Sequence, residues 1–252
     1  MRAEARQSRP VATQAGGAPI AARVAGLDWL RIADELDAFG AATTGELLLR
    51  EECLGLASGY DDEDAFRSRV VMARHGFGRG EYKYYGYPLP EPVAALRQAL
   101  YPRLAAIADR WEAALGREAG FPADHGEYLD RCYAAGQRRP TPLLLRYGEG
   151  DYNCLHQDLY GELFFPLQVA FLLSRPGEDF TGGEFVLTEQ RPRMQSRAEV
   201  VSLRQGEGVI FAVNQRPVKG DHGAYRVAMR HGVSRVRSGE RFTLGIIFHD
   251  AA

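Results

Sequence analysis

His156, Gln157 and Asp158 set an imidazole and a carboxylate two positions apart, and His231 offers a second imidazole much further along the chain. On an extended segment residues i and i+2 point to the same face, so His156 and Asp158 converge on one ion while Gln157 points away. With His231 delivered by a distant strand, the set becomes a two-histidine, one-carboxylate face on an octahedral iron(II). Three adjacent coordination positions then stay open for a chelating acid and dioxygen. Taken alone the H-x-D triplet is a weak signal, and a surface turn with a solvated histidine is its ordinary reading. The segment after His231 changes that balance. Arg241 follows His231 by ten residues and shares a strand face with Thr243, so a planar guanidinium and a hydroxyl are available to the far carboxylate of a dicarboxylic acid. An edge-strand arginine in solvent is the alternative. The flanking Phe242, Leu244, Ile246, Ile247 and Phe248 favour burial, and a buried arginine without an anion is costly.

Other residues of the right type have plainer roles. His222 is the alternative distal ligand, but it lies 19 residues before Arg241 in a Lys-Gly-Asp-His-Gly turn, which reads as a solvated loop. His75, His125 and His249 have no partner at ligand spacing and are expected at the surface or at caps. Cys154 shares a face with His156, and a small packed thiol is its commoner fate. Tyr82, Lys83, Tyr84, Tyr85 and Tyr87, with Arg74 and Arg79 nearby, form an aromatic and basic cluster suited to stacking a base or holding a peptide; a partly buried strand explains it equally well. Arg191, Arg193 and Arg197 read as a solvated charged loop.

The elements that must position these groups divide the chain. Trp29, Ile32, Ala33 and Leu36 repeat at helical spacing between Asp28 as N-cap and Gly40 as stop. A second helical stretch is expected over 45–58, and one or two strands over 69–87. Pro92 opens a long Ala- and Leu-rich helix to Leu115 that Pro102 is expected to kink or divide, and 126–135 makes a short further helix. After Pro140 the pattern becomes short apolar runs between turns: 143–147, 163–173, 184–188, 199–203, 208–213 and 241–248. The fold expected is α+β: a jelly-roll core of double-stranded β-helix type, completed by strands from the first half and braced by its helices. A helical support region, 21–140, would precede a motif-bearing β core, 141–252, in one catalytic domain, with 1–20 a disordered tail.

Charge and cysteine usage exclude several classes. From residue 143 onward 13 basic and 13 acidic side chains cancel, so the half carrying the motifs is neutral and lacks the basic footprint of a duplex-gripping protein. Cys53, Cys132 and Cys154 are odd in number with no C-x-x-C spacing, against a disulfide framework or a structural zinc site. A soluble protein of the reducing cytoplasm is expected, with no membrane partner, since no apolar run approaches the roughly 18 residues of a membrane span.

At this point the chain resembles the Fe(II)/2-oxoglutarate-dependent dioxygenase superfamily, over roughly residues 140–250. Its distal H-G-V-S-x-V-x-x-G-x-R-x-T, from His231 to Thr243, is similar to prolyl-hydroxylase-type members, as is Thr181-Gly182-Gly183-Glu184-Phe185. Its proximal R-Y-x-x-G-x-x-x-x-L-H-Q-D, from Arg146 to Asp158, is similar to AlkB-type repair oxygenases and to a bacterial oxygenase family assigned to nucleic-acid modification. It departs from the repair enzymes in having no arginine after Arg241. The resemblance implies iron ligation by His156, Asp158 and His231, and 2-oxoglutarate binding by Arg241 and Thr243, with Tyr147 also reaching the co-substrate. Implied partners are 2-oxoglutarate and dioxygen, with ascorbate as an aid. The substrate would be an alkylated single-stranded nucleic acid or nucleotide, or else a peptide. A non-catalytic small-acid sensor and a zinc hydrolase are the contrasting classes; neither needs Asp158 and Arg241 together.

Overall fold

The computed structural model describes residues 17–252 apart from Ala119, Tyr160 and His222. The expected tail therefore lies outside the described residues as far as residue 16, and so does the alternative ligand His222. Five α-helices are seen among the described residues, all in the first half: α1 (Ile20–Ala25), α2 (Trp29–Phe39), α3 (Arg50–Ser58), α4 (Glu91–Ala114) and α5 (His125–Ala134). Helix α2 begins and ends as its sequence requires. The Asp28 carboxylate accepts from the Arg31 N–H at 3.0 Å, and Gly40 closes the helix at φ 76°, a left-handed conformation that glycine adopts without steric cost.

The first half also carries four strands: β1 (Ala41–Glu46), β2 (Phe66–Val71), β3 (Gly78–Arg79) and β4 (Glu81–Tyr85). The helix expected over 45–58 thus starts only at Arg50, because Ala41–Thr43 pair with the sheet and take the preceding residues with them. Nor does Pro102 divide α4, which runs unbroken from Glu91 to Ala114. Both Pro102 and Gln98, whose carbonyl loses its helical donor, lie on the exposed face, where that carbonyl is not forced into the core unpaired.

The second half supplies β5 (Leu143–Tyr147), β6 (Tyr152–His156), β7 (Leu167–Leu172), β8 (Phe180–Gly182), β9 (Phe185–Gln190) and β10 (Arg197–Val201). It continues with β11 (Glu207–Ala212), β12 (Gln215–Gly220), β13 (Gly223–Val233), β14 (Val236–Gly239) and β15 (Arg241–Ile246). Every named pairing is antiparallel. A seven-stranded sheet runs β1-β11-β7-β15-β5-β4-β2; a second runs β10-β9-β13-β6-β3, with β12 beside β13; and β14 pairs with β8. Together they form the jelly-roll core. Strands β7 and β11 are buried at every position, which is why their apolar runs show no alternation. Both flanks of the larger sheet, β1 on one side and β4-β2 on the other, come from the first half. Helix α4 packs on β15 and α1, and α2 on β1 and β11.

Candidate active site

Two strands of the six-stranded sheet, β6 and β13, and the loop that follows β6 bring the three candidate metal ligands together. His156 ends β6, Asp158 follows it, and His231 on β13 is the cross-strand partner of His156. The two imidazole rings lie 4.2 Å apart, and each Nε2 is 3.3 Å from an Asp158 oxygen, Oδ1 for His156 and Oδ2 for His231. The three ligand atoms all fall within 4.8 Å of one another, a spacing that one ion fills. Nδ1 of His156 lies 2.7 Å from the Cys154 carbonyl, so as donor it leaves Nε2 free to ligate. Burial works against ionisation of Asp158, but the two histidines hold its carboxyl far below the usual range. His231 sits between Phe185 and Phe211, and burial lowers its basicity, which suits a neutral ligand. The middle residue of the triplet pins the segment: the Gln157 amide nitrogen donates to the carbonyls of Asn214 at 2.9 Å and Met229 at 2.8 Å.

The larger sheet supplies the anion-binding end. Arg241 opens β15, where its cross-strand partner is Tyr147 of β5. Its side chain is 2% exposed; Nη1 donates to the Thr243 hydroxyl, while Nε has no partner. The guanidinium carbon stands 5.6 Å from the Tyr147 ring and 5.8 Å from that of Phe180. It forms no ion pair among the described residues, and burial pulls it down to about 10. The fully buried Tyr147 hydroxyl makes no well-formed hydrogen bond, and burial pushes it up to about 12 against the pull of Arg241. A cation and a neutral phenol, both short of acceptors or donors, thus face one cavity of about 330 Å³ that also contains His156, Asp158 and His231. An acid bound there would restore the bonds burial has removed.

Residues 80–251 match the family model Oxygenase-NA, described as an oxygenase catalysing oxidative methylation of damaged DNA. The chain belongs to this family. Two uncharacterized proteins of Mycobacterium tuberculosis, from strains ATCC 25618 / H37Rv and CDC 1551 / Oshkosh, are each 54% identical over 165 residues, spanning 66% of this chain and 71% of their own length. A Pseudomonas putida prolyl-4-hydroxylase superposes with a TM-score of 0.52 at 15% identity, over 89% of this chain and 99% of that one. A 2OG-Fe(II) oxygenase family oxidoreductase from Burkholderia pseudomallei gives 0.50 at 15%, over 89% and 92%. The chain is an oxygenase with the fold of the 2-oxoglutarate- and iron(II)-dependent enzymes.

All six residues singled out in the sequence, His156, Asp158, His231, Arg241, Thr243 and Tyr147, line this one cavity of the oxygenase. The tyrosine cluster divides. Tyr82 lines the cavity and meets Tyr84 edge-on at 5.3 Å, whereas Lys83 and Tyr85 turn to the opposite, buried face. There the Lys83 ammonium donates to the Tyr60 carbonyl and to Glu63, so it is unavailable to substrate. His125 and His249 are also not where expected. Both are buried behind the site, His125 Nε2 donating to the Phe248 carbonyl at 2.8 Å and His249 Nδ1 accepting from the Phe165 N–H at 3.1 Å. Arg193 and Arg197 are exposed, as a solvated charged segment requires, while Arg191 and Arg197 also reach the buried Glu189 carboxylate.

Among the cavity residues that the sequence does not single out are Gln168 and Phe77. Gln168, on β7, has a buried amide nitrogen with no partner in the protein, and its sequence signal is a lone amide inside the apolar run 167–173. Phe77, exposed at the mouth and stacked on His75, sits in a segment without regular pattern, which gave no signal.

Proposed function

We propose that this oxygenase holds iron(II) with His156, Asp158 and His231, holds 2-oxoglutarate with Arg241, Thr243 and Tyr147, and oxidises a C–H bond of an alkylated nucleic-acid base. The observation that carries the co-substrate reading is the buried Arg241 guanidinium, which has no ion pair and faces the same cavity as the three ligands. Iron(II), when bound, supplies the redox chemistry that couples decarboxylation of 2-oxoglutarate to succinate with insertion of oxygen into the substrate. The chain's own residues do the rest. Asp158, held ionised, is the anionic oxygen ligand, and the two imidazoles present Nε2 from adjacent strands. Arg241 and Thr243 clamp the far carboxylate from one strand face, and Tyr147 donates from the neighbouring strand. Phe185 and Phe211 keep water from the ligands.

A nucleobase is supported by the family description and by the rim, where Tyr82 and Phe77 offer ring faces to a base taken out of its stack. A peptide is the second reading, favoured by the prolyl-hydroxylase fold and by the exposed Leu155 and Leu159 at the same mouth. Products separate the two. Hydroxylating an N-methyl group gives an unstable hemiaminal, N–CH2–OH, which breaks its C–N bond to release formaldehyde and leave N–H, whereas a hydroxylated side chain keeps its oxygen. Methylated single-stranded oligonucleotides are expected to yield formaldehyde with iron and 2-oxoglutarate; stable oxygen addition to peptides, with no formaldehyde from any methylated base, would overturn the first reading. The cytoplasm is the proposed site of action, in keeping with three free thiols, and ascorbate the proposed aid to keeping iron reduced. No described helix is long and apolar enough to cross a membrane.

A further inference from the structure

The Thr181-Gly182-Gly183-Glu184 segment has no part in the chemistry described so far, yet it backs onto the co-substrate end of the site. A second cavity, of about 270 Å³, is lined by this segment and shares only Arg241 and Phe185 with the first, so these two residues form the wall between them. Arg241 is loosely held for a buried cation. Its guanidinium has one hydrogen bond, to Thr243, and otherwise lies among the rings of Tyr147 and Phe180. Its position must therefore come from packing along its shaft.

The contact that supplies this packing is Gly183, at φ +65°. A Cβ built there would stand 2.9 Å from Arg241 Cδ, 3.4 Å from Nε and 3.0 Å from Val236 Cγ2. The arginine shaft fills the place of a side chain. Gly182, at φ +73°, has a different reason to be glycine, since its Cβ would meet the Arg235 carbonyl at 2.4 Å, a backbone clash. We propose that Gly183 is a positioning residue for the co-substrate: by having no side chain it fixes where the Arg241 guanidinium stands relative to the iron ligands, and so sets the affinity for 2-oxoglutarate. This rests on the reading of Arg241 as the anchor of the far carboxylate. A bidentate pair is sensitive to displacement of either partner, so a Cβ at 183 shifts the fork out of register with an acid whose other end is fixed on the metal.

The test uses the full chain loaded with manganese(II) without oxygen, with 2-oxoglutarate titrated in by calorimetry. Gly183→Ala is expected to weaken 2-oxoglutarate by roughly tenfold or more while metal affinity stays within about twofold, and in iron-dependent turnover to raise KM more than it lowers kcat. Gly177→Ala is the control. It carries the same left-handed strain, at φ +82°, with nothing within 4 Å of its Cβ, and is expected to bind like the parent. Should Gly183→Ala not fold, Gly183→Asn keeps the left-handed backbone accessible and adds the same Cβ, with the same loss expected. Parent-like binding by the folded Gly183 variant, or an equal loss in Gly177→Ala, overturns the proposal. Arg241→Ala separates the two levels: if it leaves 2-oxoglutarate unaffected, the anchor reading falls and this inference with it; if it abolishes binding while Gly183→Ala does not weaken it, only this inference falls.

Discussion

At the scale of single residues, the site is a balance of charges that burial has stripped of water. Asp158 is the one anion among the three proposed ligands, so Asp158→Ala is expected to abolish iron(II) binding and turnover, because two neutral imidazoles cannot replace its oxygen. His231→Ala should behave alike and His222→Ala should keep its iron; metal content after dialysis, followed by succinate formation at defined iron loading, checks both, and the reverse outcome would transfer the ligand role to His222. Arg241 is the complementary cation. Each charge-assisted bond lost in Arg241→Ala is worth roughly 1.5–3 kcal/mol, so the co-substrate Kd should rise more than tenfold with iron affinity little changed. Arg241→Lys is expected to recover only part of this, since an ammonium has no fork to match a carboxylate. Unchanged 2-oxoglutarate affinity in Arg241→Ala, measured by titration, would sink the clamp.

At the scale of elements, what matters is that two strands stay in register. Gln157 is not a ligand, yet its amide joins the H-x-D segment to the carbonyls of Asn214, after β11, and Met229, two residues before His231. Gln157→Ala is therefore expected to weaken iron(II) about tenfold while leaving 2-oxoglutarate affinity of the metal-saturated protein near that of the parent. Equal metal affinity in variant and parent would show that the β6 and β13 pairing alone holds the ligands. The same strands show where the sequence was readable. Apolar runs such as 143–147 and 208–213 announced β5 and β11 because β11 is buried on both faces and β5 is buried or partly buried along its whole length. Strand β13 escaped because its outward positions include Arg226 and Arg230, although Val227, Met229 and His231 alternate inward as a half-buried strand requires. Strand β1 escaped because Ala41–Glu46 is built of small and polar residues in which only Thr43 and Thr44 favour a strand. The candidate ligands that the structure brings together were legible because His156 and Asp158 are two residues apart and His231 stands ten residues before Arg241; the rim residue Phe77 was not, because only tertiary contact brings it to the mouth.

At the scale of the whole molecule, the first half completes the sheets of the jelly-roll core rather than merely covering them, and a few buried polar groups bind the halves together. Arg97 of α4 donates to the carbonyls of Ile247, Phe248 and His249 and to the Asp250 carboxylate at 2.7 Å, with both side chains out of solvent. Removing one partner strands the other, so Arg97→Ala should cost on the order of 3–5 kcal/mol in denaturant unfolding, more than any single rim substitution. Beside this pair lie the two neutral histidines, and they give the fold an acid limit. Burial lowers both His125 and His249 from the usual 6.5 to about 4, and the Arg97 charge adds to the effect. Between these values the unfolded chain holds a proton on each imidazole and the folded chain does not. Acidification therefore favours unfolding: the contribution is complete above about pH 6.5, is lost as the pH falls toward 4, and is flat below. Each histidine accounts for on the order of 3 kcal/mol across that window. His125→Gln keeps a nitrogen donor for the Phe248 carbonyl but removes the titrating group, so its melting temperature is expected to fall less steeply than the parent's between pH 7 and 5 in calorimetry. Identical slopes for the two proteins would mean that His125 takes up its proton without leaving the core, and that the acid limit is set elsewhere.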